Sequence, residues 1–284
     1  MLIPLIYLAL IFAGMYLVCG ELERACGNTA HRLRIPESIA GATLLAVASS
    51  SPEFFTSFLG AVRFGVFEVG LMAILWSAIF NITVIPGVSA LFSKKPLTVF
   101  RTVVVRDCVA YLVVTLLLLG LLQDGTLTRV DGVILLGGYA VYIYVLFLMM
   151  GDGDSEKVEP IEQPVWRTLL GLLGGIAAIG LLCHFMIEQG SVLAKVAGID
   201  LLIVSALIFA PGTSVPDLLL SFMAARRGAG SATISNAFGS NTFDLTVCLA
   251  VPVLVVGDTQ IAMVGPVLWS VWMLVGTVIF SMIF

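Results

Sequence analysis

Long apolar runs separated by short polar intervals dominate the chain. A spanning helix needs about 20 apolar residues. Runs of that order fall near 2–19, 37–62, 67–92, 103–123, 130–150, 166–187, 199–225, 230–256 and 260–283. The pattern predicts an all-α polytopic membrane protein with nine spans. The first run is apolar from residue 2 and lacks a basic leader region and a small-residue cleavage site. It reads as a first span rather than a signal peptide.

The polar intervals alternate in charge. One set holds Arg24, Arg32, Arg34, Lys94, Lys95, Arg101, Arg106, Lys157, Arg167, Arg226 and Arg227. The other holds only Arg63, Arg129 and Lys195. Positive loops face the cytoplasm. The expectation is therefore a plasma (inner) membrane protein with its N-terminus outside.

Polar residues inside the apolar runs are the informative exceptions. Ala48-Ser49-Ser50-Ser51-Pro52-Glu53 is followed by Phe54-Phe55-Thr56-Ser57-Phe58. The phrase returns as Gly212-Thr213-Ser214-Val215-Pro216-Asp217, followed by Leu218-Leu219-Leu220-Ser221-Phe222. Glu53 and Asp217 stand 164 positions apart. Proline removes an N–H and clashes with the carbonyl four residues back, so each phrase predicts an interrupted helix. At membrane depth, freed carbonyls are tolerated only beside protein or a polar cavity. Carbonyls, hydroxyls and a carboxylate are hard oxygen ligands suited to Na+ or Ca2+. A charged side chain at the bilayer centre costs roughly 3 kcal/mol on insertion scales, which marks such acids as functional.

A polar stripe follows each phrase. Ser77 and Asn81 share one helix face, as do Ser240 and Asp244. The serines also fit plain hydrogen bonding between helices. No Lys or Arg lies within these segments. Three ionised acids (Glu53, Asp217, Asp244) would give −3, which Ca2+ plus one monovalent cation, three Na+, or a shared proton would offset.

Spacing also suggests halves. An offset of about 164 lays spans one to three on spans six to eight. The expected organisation is a first repeat at 1–150 (spans 1–5), an acidic cytoplasmic linker at 151–165 and a second repeat at 166–284 (spans 6–9). Five spans per half would invert the second half, the plan of many secondary transporters. The second half shows four, and a last helix would have to follow Phe284. The linker's Asp152-Gly153-Asp154 resembles the start of a calcium loop but lacks its later glycine and glutamate.

Composition agrees: 60% of the 284 residues are hydrophobic and 11% charged, against about 25% charged in soluble domains. The net charge of −4 comes without a basic stripe, and no nucleic-acid partner is expected. The odd set Cys19, Cys26, Cys108, Cys183 and Cys248 argues against a disulfide framework. No Ser/Lys, Cys/His or metal-ligand His spacing of an intramembrane enzyme is present, so neither an enzyme nor a cofactor is expected.

These motifs resemble the two alpha repeats of the sodium/calcium exchangers, within the calcium/cation antiporter superfamily, and in particular the potassium-dependent branch. The likeness runs closely over 38–98 and 202–255. It implies ten helices around a central cation site. It also implies Glu53 and Asp217 as central Ca2+ ligands, with Asn81 and Asp244 completing the set. Ser49, Ser50, Ser77, Thr213, Ser214 and Ser240 would help hold Na+, and carbonyls near Ala46 and Ala210 would add ligands. An aspartate at the place of Asp244 goes with K+ use in that branch. Trp76 departs from the glycine usual there, and Ser49 stands where Thr or Gly is usual. The expected function is Na+/Ca2+ antiport in a lipid bilayer, with K+ as a further candidate ion and Ca2+/H+ antiport as the alternative. A channel is a third class, set apart by flux without a counter-ion. Oligomeric state is not legible.

Overall fold

The computed structural model describes residues 2–33, 35, 43–44, 46–93, 97–99, 101–149, 164–228, 230–262 and 265–283. Almost all of these are helical. Among the described residues, seven helices are long and apolar enough to cross a membrane. The expected span at 37–62 is described only in part, and the ninth is a shorter apolar helix. The expected linker falls largely outside the described residues.

Two long helices, α1 (Leu2–Arg32) and α7 (Val165–Ala197), pack along each other. Each runs further than the 2–19 and 166–187 read from apolarity. At 1.5 Å per residue they span about 45–50 Å, beyond a hydrocarbon core of about 30 Å. Their charged ends stay helical because a buried stripe continues through them. Leu22, Ala25, Cys26 and Ala30 repeat at helical spacing on α1, as do Met186, Ile187, Gly190 and Ala194 on α7.

The first interrupted helix is α2 (Ala46–Ser49) and α3 (Ser51–Val62), hinged at Ser50. α4 (Phe67–Phe92) follows and is mostly buried. α5 (Arg101–Leu121) and α6 (Arg129–Leu148) come next. The second interrupted helix is α8 (Leu201–Val204), a π turn at Ser205–Phe209, α9 (Ala210–Thr213) and α10 (Val215–Arg227). α11 (Gly230–Val256) is as buried as α4, and α12 (Pro266–Ile283) closes the set.

α4 and α11 form the centre, and α3 and α10 each pack against both. Close approach at the α3–α4 crossing requires Gly70, where an added Cβ would lie 2.5 Å from Ser57 Cα. At the second interruption, Gly212 accommodates the ring of Phe12 from α1, which would lie 2.1 Å from such a Cβ.

Two short strands, β1 (Thr126–Leu127) and β2 (Thr259–Gln260), pair antiparallel. Arg129 N–H also donates to Asp258 Oδ1 at 3.0 Å. These contacts put the loops after α5 and α11 on one side of the molecule, as the span parity demands. Most of the described basic residues read in the polar intervals lie on helix ends, and Arg106 is buried on α5, 8% exposed, with Nε 2.7 Å from Asp107 Oδ1. Pairing is what lets a guanidinium sit there, since an uncompensated buried charge is costly.

Candidate cation site

Local sequence builds the two hinges alike. Ser50 (φ −83°, ψ 7°) and Ser214 (φ −79°, ψ −2°) hold a tight turn just before a proline at the second helical position. Pro52 and Pro216 offer no N–H to the carbonyls four residues back. The interruption is one residue wide. Ser50 N–H still bonds Ala46 O at 2.9 Å, and Ser214 N–H bonds Ala210 O at 3.1 Å. The π turn ahead of the second hinge adds a further distortion, of a kind frequent at functional sites.

Glu53 and Asp217, one turn beyond each hinge, meet Asp244 of α11. All three are fully buried, and one carboxylate oxygen from each lies within 4.8 Å of the others. Glu53 Oε1 accepts from Ser77 Oγ at 3.2 Å and Ser214 Oγ at 3.4 Å, and those hydroxyls are 2.8 Å apart. Asp217 Oδ1 accepts from Ser240 Oγ at 2.8 Å, and Oδ2 from Asn81 Nδ2 at 2.9 Å. The lining is exchanged between halves: Thr213 faces Glu53, and Ser49 faces Asp217. Ser49 Oγ and Thr213 Oγ1 also donate to Ala46 O and Ala210 O, each at 3.2 Å. Ser50 faces Asp244. All twelve residues singled out from the sequence, including Ala46 and Ala210, are fully buried on the elements that build this cluster.

Several oxygens in the cluster accept nothing. Glu53 Oε2, Asn81 Oδ1, Asp244 Oδ2 and Ser50 Oγ are buried without a hydrogen-bond partner. Buried polar atoms are otherwise almost always paired. Acidic and neutral oxygens gathered around one space, with no ammonium or guanidinium among their hydrogen-bonding partners, form a donor set for a hard cation.

Sequence reading missed Asn241 as a working residue. Its Oδ1 accepts from Asn81 Nδ2 at 3.1 Å, and its Nδ2 donates to Ala78 O at 3.1 Å, tying α11 to α4. It directly follows Ser240 on the stretch that carries the second polar stripe. Cys248, whose Sγ donates to Asp244 Oδ1 at 3.6 Å, sits one turn beyond that acid and read only as an apolar residue. Asn236 Nδ2 donates to Ser221 Oγ at 3.1 Å and joins α11 to α10.

The structure is a helical bundle with a buried cluster of three acids at its centre. The family described as "Sodium/calcium exchanger protein" matches residues 3–148 and 167–284, and the chain belongs to that family. A putative antiporter, CaxA, of Alkalimonas amylolytica is 27% identical over 86% of this chain and 79% of its own length. Sodium/potassium/calcium exchanger 1 of Gallus gallus is 35% identical, over 48% of this chain and 20% of its own. Among solved structures, the H+/Ca2+ exchanger CAX superposes with a TM-score of 0.79 at 13% identity, covering 98% of this chain and 74% of CAX. The sodium-calcium exchanger NCX_Mj gives 0.68 at 22% identity, covering 99% and 90%. These structures share the fold.

Proposed function

We propose that the chain is a secondary antiporter that lets Na+ enter down its gradient and expels Ca2+, with K+ moving alongside Ca2+. The observation that carries this reading is the buried meeting of Glu53, Asp217 and Asp244 without a basic partner. Ca2+ takes oxygen ligands from carboxylates, carbonyls and neutral groups. Glu53 and Asp217 supply two charges for it, with Asn81 and Asp244 completing its shell. Ser49, Ser50, Ser77, Thr213, Ser214 and Ser240 supply neutral oxygens for Na+, with the Ala46 and Ala210 carbonyls behind them. Both ions draw on the same oxygens, so they exclude each other at the centre. The halves 1–150 and 166–284 act as inverted repeats, with the N-terminus outside. α1 and α7 slide across the core to change the side of access. An empty cluster of acids in low dielectric resists that step, which enforces exchange over leak.

Ca2+/H+ antiport is the second reading, favoured by the structural likeness to CAX. The hydroxyl-rich lining favours Na+, because a proton needs no such coordination shell. Purified protein in vesicles separates the two. Ca2+ uptake that follows an imposed Na+ gradient supports the proposal. Uptake that follows only a pH gradient overturns it.

A further inference from the structure

Two seams related by the internal repeat stand in different conditions. On α7, Cys183 Sγ donates to Pro52 O at 3.4 Å, a carbonyl that also accepts from Thr56 Oγ1 at 2.7 Å. One turn away, Gly180 gives room to the Phe55 ring, which would lie 3.2 Å from an added Cβ. α7 is therefore closed over the first hinge, and Cys183 is fully buried there. The offset of 164 that relates Glu53 to Asp217 also carries Cys19 to Cys183, Tyr16 to Gly180, Pro52 to Pro216 and Phe55 to Leu219.

The second set of positions forms no closed seam. Tyr16, Cys19, Pro216 and Leu219 line a cavity of about 230 Å³ between α1 and α10, with Glu21 and Arg24 further along α1. Pro216 adjoins Asp217, so the cavity reaches within one residue of the acid cluster. α1 still touches the second hinge at its other end, where the Phe12 ring lies against Gly212. The two elements thus meet beside Gly212 and part beyond Pro216, toward the end of α10 that carries Arg226 and Arg227. Under the orientation proposed above, that end is cytoplasmic.

A carrier with one site between two inverted halves opens to each face in turn. A contact made in only one of the two states biases their balance by its own strength and no more. We infer that Cys19 and Cys183 are twin positioning residues, each closing its long helix over the proline of the other half's hinge in one of the two access states. The structure holds the state in which the Cys183 seam is shut and the Cys19 seam is open. In the other state α1 shuts over Pro216 at Cys19, and α7 parts from Pro52. The inference rests on the carrier reading above, whichever ion drives exchange.

The test places one reporter in each seam of the full-length protein in membrane vesicles: Leu219→Cys and, separately, Phe55→Cys. Labelling by a membrane-impermeant maleimide is measured from each face, over the rate of protein without the added cysteine. The ratio of the two rates follows the balance of states. With Cys19 and Cys183 intact, Leu219→Cys should label faster than Phe55→Cys, and only from the face of Arg226 and Arg227. Cys183→Ala should move the ratio about fivefold toward Phe55→Cys, the effect of one modest hydrogen bond. Cys19→Ala should move it the opposite way, and Cys183→Ser should restore the parent ratio. A role in packing alone would not give shifts of opposite sign. A ratio that neither alanine variant moves, shifts of the same sign in both, or a Leu219→Cys that aqueous maleimide does not reach overturns the inference. Opposite shifts in a protein that moves no Ca2+ on either a Na+ or a pH gradient remove the carrier reading and leave the two seams as assigned.

Discussion

Asn81 donates its amide N–H to Asp217 Oδ2 at 2.9 Å, so α4 of the first half clamps the acid of the second. The relation is not returned. The place that matches Asn81 in the second half is held by Asp244, which brings Glu53 a second acid instead of an amide. The two halves therefore supply unequal numbers of acids to one centre.

Asp217→Asn or Glu53→Gln should abolish Na+-driven Ca2+ uptake. A folded variant should also lose ligand stabilisation. Ca2+ at about 100 times its Kd stabilises a binder by about 2.7 kcal/mol. A thermal-unfolding series in detergent with and without Ca2+ should show that rise in wild type and not in the variants.

Asp244→Asn removes one charge from the pocket and leaves Glu53 and Asp217 for Ca2+. Uptake should persist and lose its dependence on external K+. Flux at fixed Na+ and varied K+ reads this directly, and a variant that still requires K+ contradicts the charge balance.

Asn81→Ala leaves Asp217 Oδ2 and Asn241 Oδ1 without their shared donor. A buried polar group left unpaired costs about 1–3 kcal/mol. The variant should unfold at lower temperature, and its Ca2+ half-saturation should rise roughly tenfold.

Gly70→Val should destabilise without touching an ion ligand. Its Cβ would strike Ser57 backbone, which cannot rotate away. Overpacking of this kind costs about 1–3 kcal/mol or more. Gly27→Ala, with open space at its Cβ position, is the control and should leave the melting temperature unchanged.

Arg106→Ala takes the guanidinium away from buried Asp107, which keeps the Ser235 hydroxyl but loses its counter-charge, and should cost about 3–5 kcal/mol. The double variant Arg106→Met, Asp107→Leu should recover most of that loss. Expression yield and melting temperature report both.

The paired proline-acid phrases made the centre legible because a carboxylate inside an apolar run has few structural uses. The apolar periodicity likewise gave the spanning elements. Their ends were less readable: α1 runs on to Arg32 because packing of Leu22 and Ala25 against Gly175 and Gly171 on α7 matters there more than hydropathy. Arg106 was misread as a loop charge, since sequence alone does not reveal that its neighbour Asp107 neutralises it. Around the one-residue hinges, serine and threonine hydroxyls bond the carbonyls of Ala46, Val47 and Ala210, contacts that apolar periodicity does not reveal.

The two-stranded clasp of Thr126–Leu127 with Thr259–Gln260 ties the turn leaving α5 to the turn leaving α11. Four helices (α5, α6, α11 and α12) are thereby tied at one rim by backbone hydrogen bonds. Under the exchange proposal, this corner is the part of the molecule expected to stay together while the side of access changes. Under the exchange proposal the travel falls to α1 and α7, which among the described residues carry no strand of this clasp.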